Sequence, residues 1–537
     1  MLEEYPLCRP GDPASYTARV TMAIPRSWLY AAALLLLLVA VAAAARIVVP
    51  VRADQVGFDS AASVVYFERL VAGERLEAFV TATPKPALTI LLGSLHALTG
   101  DWRVLSWATI LAFGIAVVLA TWLAARVAGP RAGLFAAAAL IGSVPLMLDV
   151  SLAYAVAWAL AGWLGAGVSL TGDRPRYLLA GAALLFAALV RFETLIIVGV
   201  AGLTLVGGLV ASRRRPALRP PPGAWWLLLG LAALPLQAVH DLMLTGDPGW
   251  SFGVPVAGSV GAPLVGVGGV LRMAALRYAE MAPLLVLGVL GVVLLVRRAS
   301  WPVLLGLLAV GPGTIAFLVF LAVRGIYVSP RYFLPADLAM LVAAAVGFAG
   351  LSLAPIVRPG AMVRPGARLA AGLVVAAIAG ASLGPSFAPV DVDLRASTLA
   401  NLDAHKAAQA AIPALDDALD AIPGVRSRPA SPDPDPDADH GTPALLVPAL
   451  MRPHLAVDLD LPLTEIGGLN GRHVGTDGTH PAPGQLVYHE RNGDAPAPAF
   501  AFLEVTEPTC LGAIRLVPVD ADPAAGWWVL RVESACG

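Results

Sequence analysis

The feature that most constrains this chain is a series of apolar runs close to 20 residues long, recurring from Trp28 to Ser386. A helix rises about 1.5 Å per residue and a bilayer core is about 30 Å thick, so a run of this length matches one crossing. The spans read as Trp28–Pro50, Val104–Ala125, Ala132–Leu148, Ser151–Leu170, Tyr177–Val190, Thr194–Ala211, Ala224–Val239, Met281–Val296, Pro302–Val323, Phe333–Ala354 and Leu369–Ser386. They predict an all-α multi-pass membrane protein of about 11 transmembrane helices. Composition agrees. Of 537 residues, 58% are hydrophobic and only 14% charged, where a soluble domain carries about a quarter charged residues. A net charge of −1 gives no clustered basic surface for nucleic acid.

Residues 1–27 read as a cytoplasmic N-terminal extension in which Met22 is a second candidate start. The run after Arg26 resembles a secretory signal, but the many later spans favour an uncleaved anchor.

The run Lys85–Thr99 is too short to cross. Leu88, Leu91, Leu92, Leu95 and Leu98 follow a helical stripe, with Thr89, Ser94 and His96 off it. Pro86 suits a first helical turn. The run is therefore expected to lie along the membrane surface. Arginine placement supports this, because cytoplasmic loops are enriched in basic residues. With Lys85–Thr99 not crossing, Arg126, Arg131, Arg174, Arg176, Arg213, Arg214, Arg215, Arg219, Arg297, Arg298, Arg358, Arg364 and Arg368 fall inside. Only Arg191, Arg272, Arg277, Arg324 and Arg331 fall in later outer loops. The N-terminus is then cytoplasmic. The outer face collects the loop 51–102, Asp149, Arg191–Glu193, the loop 240–280, Arg324–Tyr332 and everything after about Gly384.

The first outer loop concentrates candidate chemistry. In Phe58–Gly73, Asp59 stands at a helix N-cap position and Gly73 at a C′ position. Asp59 can simply cap this helix. It can also serve as a general base, since a helix N-terminus favours the ionised carboxylate. Lys85, one of two lysines with Lys406, would sit at headgroup depth, suited to a lipid-linked phosphate or to ordinary snorkelling. Asp149 is expected to cap the helix from Ser151, Arg191 and Glu193 to pair at a hairpin tip, and Arg331-Tyr332 to anchor a span at the interface.

Residues 387–537 change character. A helix is expected over Ala396–Ile422, with Leu399, Ala407, Ala411, Leu415 and Leu419 on one face. A polar Pro/Asp-rich linker follows at 427–439, then strands at Ala444–Val447, Gln485–Tyr488, Phe500–Val505, Leu511–Val519 and Trp527–Val532. Together they predict a small extracytoplasmic α/β or mostly β domain. Cys510 and Cys536 are equidistant from Pro523 and would face each other across a hairpin, as a disulfide in an oxidising compartment. Cys8 would stay reduced inside. The histidines His440, His454, His473, His480 and His489 show no metal-ligand spacing, so no metal is expected.

Three segments together resemble the GT-C superfamily of glycosyltransferases that use polyprenyl-phosphate-linked sugars, in its protein-mannosyltransferase and aminoarabinose-transferase branches. The first is Asp59 with Tyr66 and Gly73. The second is Lys85-Pro86-Ala87-Leu88 leading into a leucine-rich helix that ends at Gly100. The third is SPRYFLPADLAML at 329–341. The likeness covers about 28–386. It implies that Asp59 activates the acceptor, which attacks the anomeric carbon and displaces polyprenyl phosphate with inversion. It places Lys85, Arg331 and Tyr332 near the lipid phosphate, and Asp149, Arg191, Glu193 and Tyr66 as accessory residues. Ser60 follows Asp59 where the family pattern has a second acidic residue, so Asp54 is an alternative base. The resemblance implies no cofactor beyond the lipid-linked donor. It also implies a cell-envelope acceptor and a place in the cytoplasmic (inner) membrane. The other class is a transporter or non-enzymatic scaffold with an outer binding domain. Transporters show repeats and mid-membrane polar sites, whereas here no clear repeat is present and polar groups gather at one edge.

Overall fold

The structure is a computed structural model. It describes residues 56–76, 83–171, 174–216, 219–251, 266–297, 301–324, 328, 330–351, 365–386 and 410–420. It also describes 445–447, 455, 457, 459, 466–468, 485–490, 507–511, 514–522 and 527–534. The expected span Trp28–Pro50 and the candidate base Asp54 lie outside the described residues.

The described part of the expected first outer loop folds as two helices, α1 (Phe58–Ala72) and α2 (Pro86–Thr99). α1 starts two residues earlier than an Asp59 cap would place it. Gly57 holds the cap position, so Asp59 lies inside the first turn instead of capping it. Gly73 ends the helix at φ 70°, where a residue without Cβ is favoured. α2 begins with Pro86 at its first position. The two helices cross at Gly93, whose missing side chain admits Phe67.

The leucine stripe expected on α2 is not the face that packs on the protein. Its packed face is Pro86, Leu88, Thr89, Leu92, Gly93 and His96, whereas Leu98 is 82% exposed. In a chain surrounded by lipid, exposed apolar groups carry no penalty, so the leucine stripe does not mark the packed side.

The bundle continues with α3 (Trp102–Ala128), α4 (Pro130–Gly142), α5 (Val144–Ser151), α6 (Val156–Leu170), α7 (Tyr177–Val190) and α8 (Thr194–Ala211). A 3-10 stretch, Pro222–Ala232, leads into α9 (Ala233–Thr245). Then follow α10 (Val267–Glu280), α11 (Ala282–Arg297), α12 (Trp301–Val323), α13 (Leu334–Gly350) and α14 (Pro365–Leu383). The expected boundaries of α7 and α8 match, because an Arg/Glu turn separates two uninterrupted apolar runs. Two expectations are corrected. The third predicted span is broken at Ser143, whose hydroxyl caps α5, and bends by 62°. The expected loop 240–280 contains α10, which meets α11 at 90°.

Among the described residues, Trp102–Ala128, Thr194–Ala211, Pro222–Thr245 and Gly306–Val323 are long and apolar enough to cross a membrane. That makes four spans, or up to six if each bent pair counts as one. Further apolar helices are shorter. Leu203, Val210, Val286 and Val289 are exposed on α8 and α11, the surface expected of a multi-pass membrane protein. Interior contacts use small residues. Gly291 of α11 lies against the Ala343 carbonyl of α13, and Gly347 of α13 against the Leu287 carbonyl.

The C-terminal part builds a helix over 410–420 and a six-stranded mixed sheet. The strands are β1 (Leu445–Val447), β2 (Ile466–Gly468), β3 (Leu486–Glu490), β4 (Thr509–Leu511), β5 (Ile514–Asp522) and β6 (Trp527–Ser534), in the order β2-β1-β3-β6-β5-β4. Alternation along β6 sends Trp528, Leu530 and Val532 to one side and Trp527 and Val529 to the other. That second side joins Ala411, Leu415 and Leu419, as expected from their spacing, and packs with Ala62, Val65 and Tyr66 of α1 and Leu244 of α9.

Of the expected disulfide pair, only Cys510 is among the described residues. The antiparallel hairpin exists, but it joins β5 to β6. Cys510 lies on β4, opposite Arg515 on the far edge of β5, because the chain already turns between Leu511 and Ile514. Cys536 lies outside the described residues. So does the predicted strand Phe500–Val505.

Candidate active site at the first outer loop

Asp59 and Lys85, 26 positions apart, meet. Lys85 Nζ donates to Asp59 Oδ2 at 2.8 Å, with the two side chains 18% and 17% exposed. Local structure produces this meeting. Asp59 is in the first turn of α1, where the free backbone N–H groups favour a carboxylate. Lys85 holds the N-cap position of α2 in an extended conformation. The crossing at Gly93 brings the two helix starts together.

The base of α1 hangs from a second corner. Gly57 N–H donates to the Leu152 carbonyl at 2.7 Å, and Ser60 Oγ to the Ala153 carbonyl at 2.6 Å. Ala153 has φ 59°, a left-handed conformation that an alanine rarely adopts. The Tyr154 ring occupies the space a side chain at Gly57 would need. Asp149 sits near the C-terminal end of α5 and does not cap a following helix. Its carbonyl accepts from Tyr154 N–H at 2.9 Å. This corner is thus a support for Asp59.

Tyr66, two turns along α1, is fully buried. Burial raises its phenol pKa well above the ordinary value, and the negative charges of Asp59 and Asp241 push the same way. Tyr66 therefore stays a neutral hydroxyl facing two carboxylates.

Asp241 belongs to a polar cluster that sequence reasoning missed. Gln237, His240, Asp241 and Ser251 are all buried. Gln237 Nε2 lies 2.7 Å from Asp241 Oδ1, 2.8 Å from Ser251 Oγ and 3.1 Å from the Pro84 carbonyl. Ser251 donates through its N–H to Asp241 Oδ2 at 2.9 Å and through Oγ to Oδ1 at 2.8 Å. His240 Nδ1 is 3.9 Å from Asp241 Oδ1. The available signal was the i, i+4 pair Gln237/Asp241 at the end of an apolar run. Ending that span at Val239 hid it.

Arg191 and Glu193 form a buried ion pair between α7 and α8, with Arg191 Nη2 2.5 Å from Glu193 Oε1 and Nε 3.3 Å from Oε2. Arg331 lies in the 3-10 turn Pro330–Phe333, and its side chain lies outside the described residues. Tyr332 is half-buried against Val270, Leu318 and Phe333. A second missed pair braces this turn. Arg277 of α10 reaches Asp337 of α13 through Nη2 at 2.6 Å and Nε at 3.0 Å. Among the described residues, no three His, Cys, Asp or Glu side chains gather as a metal site.

The geometry therefore unites Asp59 and Lys85, with Tyr66 buried two turns further along the same helix. A carboxylate held beside an ammonium at the edge of an apolar bundle can take a proton and meet an anionic group in one place. No family model matches the chain, and no curated protein matches it. Among solved structures, the chain is similar to the crystal structure of ArnT from Cupriavidus metallidurans in the apo state. The TM-score is 0.46 and the identity 16%, over 93% of this chain and 98% of that one.

Proposed function

We propose that this chain is a membrane glycosyltransferase of the GT-C type. It moves a sugar from a polyprenyl-phosphate-linked donor to a cell-envelope acceptor, with inversion, at the outer face of the cytoplasmic membrane. Eleven spans, a cytoplasmic N-terminus and an extracytoplasmic C-terminal domain belong to this reading. The observation that carries it is the 2.8 Å contact between Lys85 Nζ and Asp59 Oδ2.

In the resting pair each charge neutralises the other. A donor phosphodiester offers Lys85 a singly charged partner whose charge grows as the leaving group departs, and it draws the ammonium away. Asp59 is then free to accept the acceptor's proton as its oxygen or nitrogen attacks the anomeric carbon. The C1–phosphate bond breaks and its electron pair leaves on the polyprenyl phosphate, where Lys85 balances the charge. Tyr66, held neutral, donates a hydrogen bond in the same corner. Arg331 and Tyr332 complete the phosphate side in this reading.

The test is transfer of labelled sugar from a synthetic polyprenyl-phosphate donor by purified protein in lipid. Asp59→Asn is expected to lower turnover by about 10²–10⁴-fold with the protein still folded. Lys85→Met is expected to weaken donor use. Unchanged turnover in Asp59→Asn overturns the proposal and returns the chain to the transporter or scaffold class.

A further inference from the structure

α9 holds both banks of the segment that delivers Lys85. At one end, Leu76 N–H donates to the Leu244 carbonyl at 2.7 Å, and the Arg75 guanidinium lies against Gly246. At the other, Gln237 Nε2 donates to the Pro84 carbonyl at 3.1 Å. Pro84 has no N–H, so its carbonyl is the one backbone group by which this residue can be held through hydrogen bonds. The next residue is Lys85, whose own carbonyl accepts from Thr89 N–H at 2.8 Å. The lysine backbone is thus fixed by Gln237 before it and by the first turn of α2 after it.

Gln237 is itself immobilised. Gln237, Asp241 and Ser251 are 1%, 0% and 1% exposed. A carboxylate with no exposure is costly unless its oxygens are satisfied, and here Ser251 and Gln237 satisfy them. A flexible side chain such as Lys85 loses rotamer entropy when held. Fixing its backbone narrows the positions its ammonium can reach.

We propose that Gln237, locked by Asp241 and Ser251, is a positioning residue that sets Lys85 against Asp59. The inference rests on the reading of Asp59 and Lys85 as the reacting pair. Among the described residues, the titratable groups on the surrounding elements are Lys85 at the start of α2, Tyr66 on α1, Tyr154 on the supporting corner, and Asp241 and His240 on α9. A network that only stabilised the core would leave the Asp59 proton equilibrium in place when cut. A network that aims Lys85 would not, because moving a cation away from a carboxylate raises the pH at which the carboxylate protonates.

The test is an infrared pH titration of the full-length protein in lipid, with the Asp59 band assigned by its loss in Asp59→Asn. Lys85→Met is expected to raise the Asp59 midpoint by about 1–3 pH units. Gln237→Leu is expected to raise it part of that way, and to add nothing in the Lys85→Met background. Ser251→Ala, a smaller change that serves if Gln237→Leu does not fold, is expected to shift the midpoint in the same direction by less. If Lys85→Met shifts the midpoint and neither Gln237→Leu nor Ser251→Ala does, the positioning role is overturned while the Asp59–Lys85 reading stands. If Lys85→Met leaves it unmoved, the pair itself is refuted.

Discussion

His96 shows how single residues report on this loop. It packs on Trp102 with ring centroids 4.3 Å apart. Burial lowers its pKa from the ordinary value near 6.5, against a smaller raising influence from Asp101. Its folded-state pKa is thus below its unfolded one, so the unfolded chain binds the proton more tightly. Its contribution to stability is neutral above about pH 6.5 and is lost progressively as pH falls below that value. Melting temperature is expected to drop between pH 7.5 and 5.5, and the His96→Gln variant to show a shallower drop. Equal pH slopes would refute this. Asp59 and Lys85 were legible as candidates because charges are scarce here and each one in an outer loop stands out. Their meeting was not, since it depends on how α1 and α2 cross. Asp241 and Ser251 are ten positions apart and Arg277 and Asp337 sixty, separations at which sequence spacing conveys nothing about contact.

Among elements, the crossing of α1 and α2 depends on Gly93. A side chain there meets Phe67, and overpacking of this kind typically costs about 1–3 kcal/mol. Gly93→Val is expected to lower the melting temperature and to break the Asp59–Lys85 contact. Phe67→Ala in the same chain should restore part of both, as read by melting and by the infrared titration. The α10–α13 brace makes a separate prediction. Asp337→Ala takes the two-pronged carboxylate away from buried Arg277, and breaking a buried pair typically costs about 3–5 kcal/mol. The paired replacement Arg277→Met with Asp337→Leu is expected to cost far less, measured by denaturation in lipid or detergent. Helix boundaries such as Tyr177–Val190 could be read because polar turns flank a continuous apolar run. The bend at Ser143 could not, since hydropathy continues through it while the backbone changes direction; at Met281 the start of the apolar run could be read from Arg277 and Glu280 before it, but not the 90° turn.

Across the whole molecule, the C-terminal part is packed on the candidate site. Leu415, Leu419, Leu486, Trp527 and Val529 share one apolar cluster with Ala62, Val65 and Tyr66. Truncating a buried leucine costs about 2–5 kcal/mol. Leu415→Ala with Leu419→Ala is therefore expected to loosen α1 as well as the C-terminal helix. Hydrogen exchange should show faster exchange in α1 and unchanged exchange in α4, and protection of α1 equal to the parent would refute the coupling. The sequence announced a separate domain through its polar linker, but its seat on α1 is a packing fact without a motif. A different consequence follows from α9 gripping residues 76 and 84. A loop whose two banks are fastened to one rigid helix behaves as an exchangeable insert. Strain that reaches residue 76 or residue 84 therefore meets α9 before it meets Lys85.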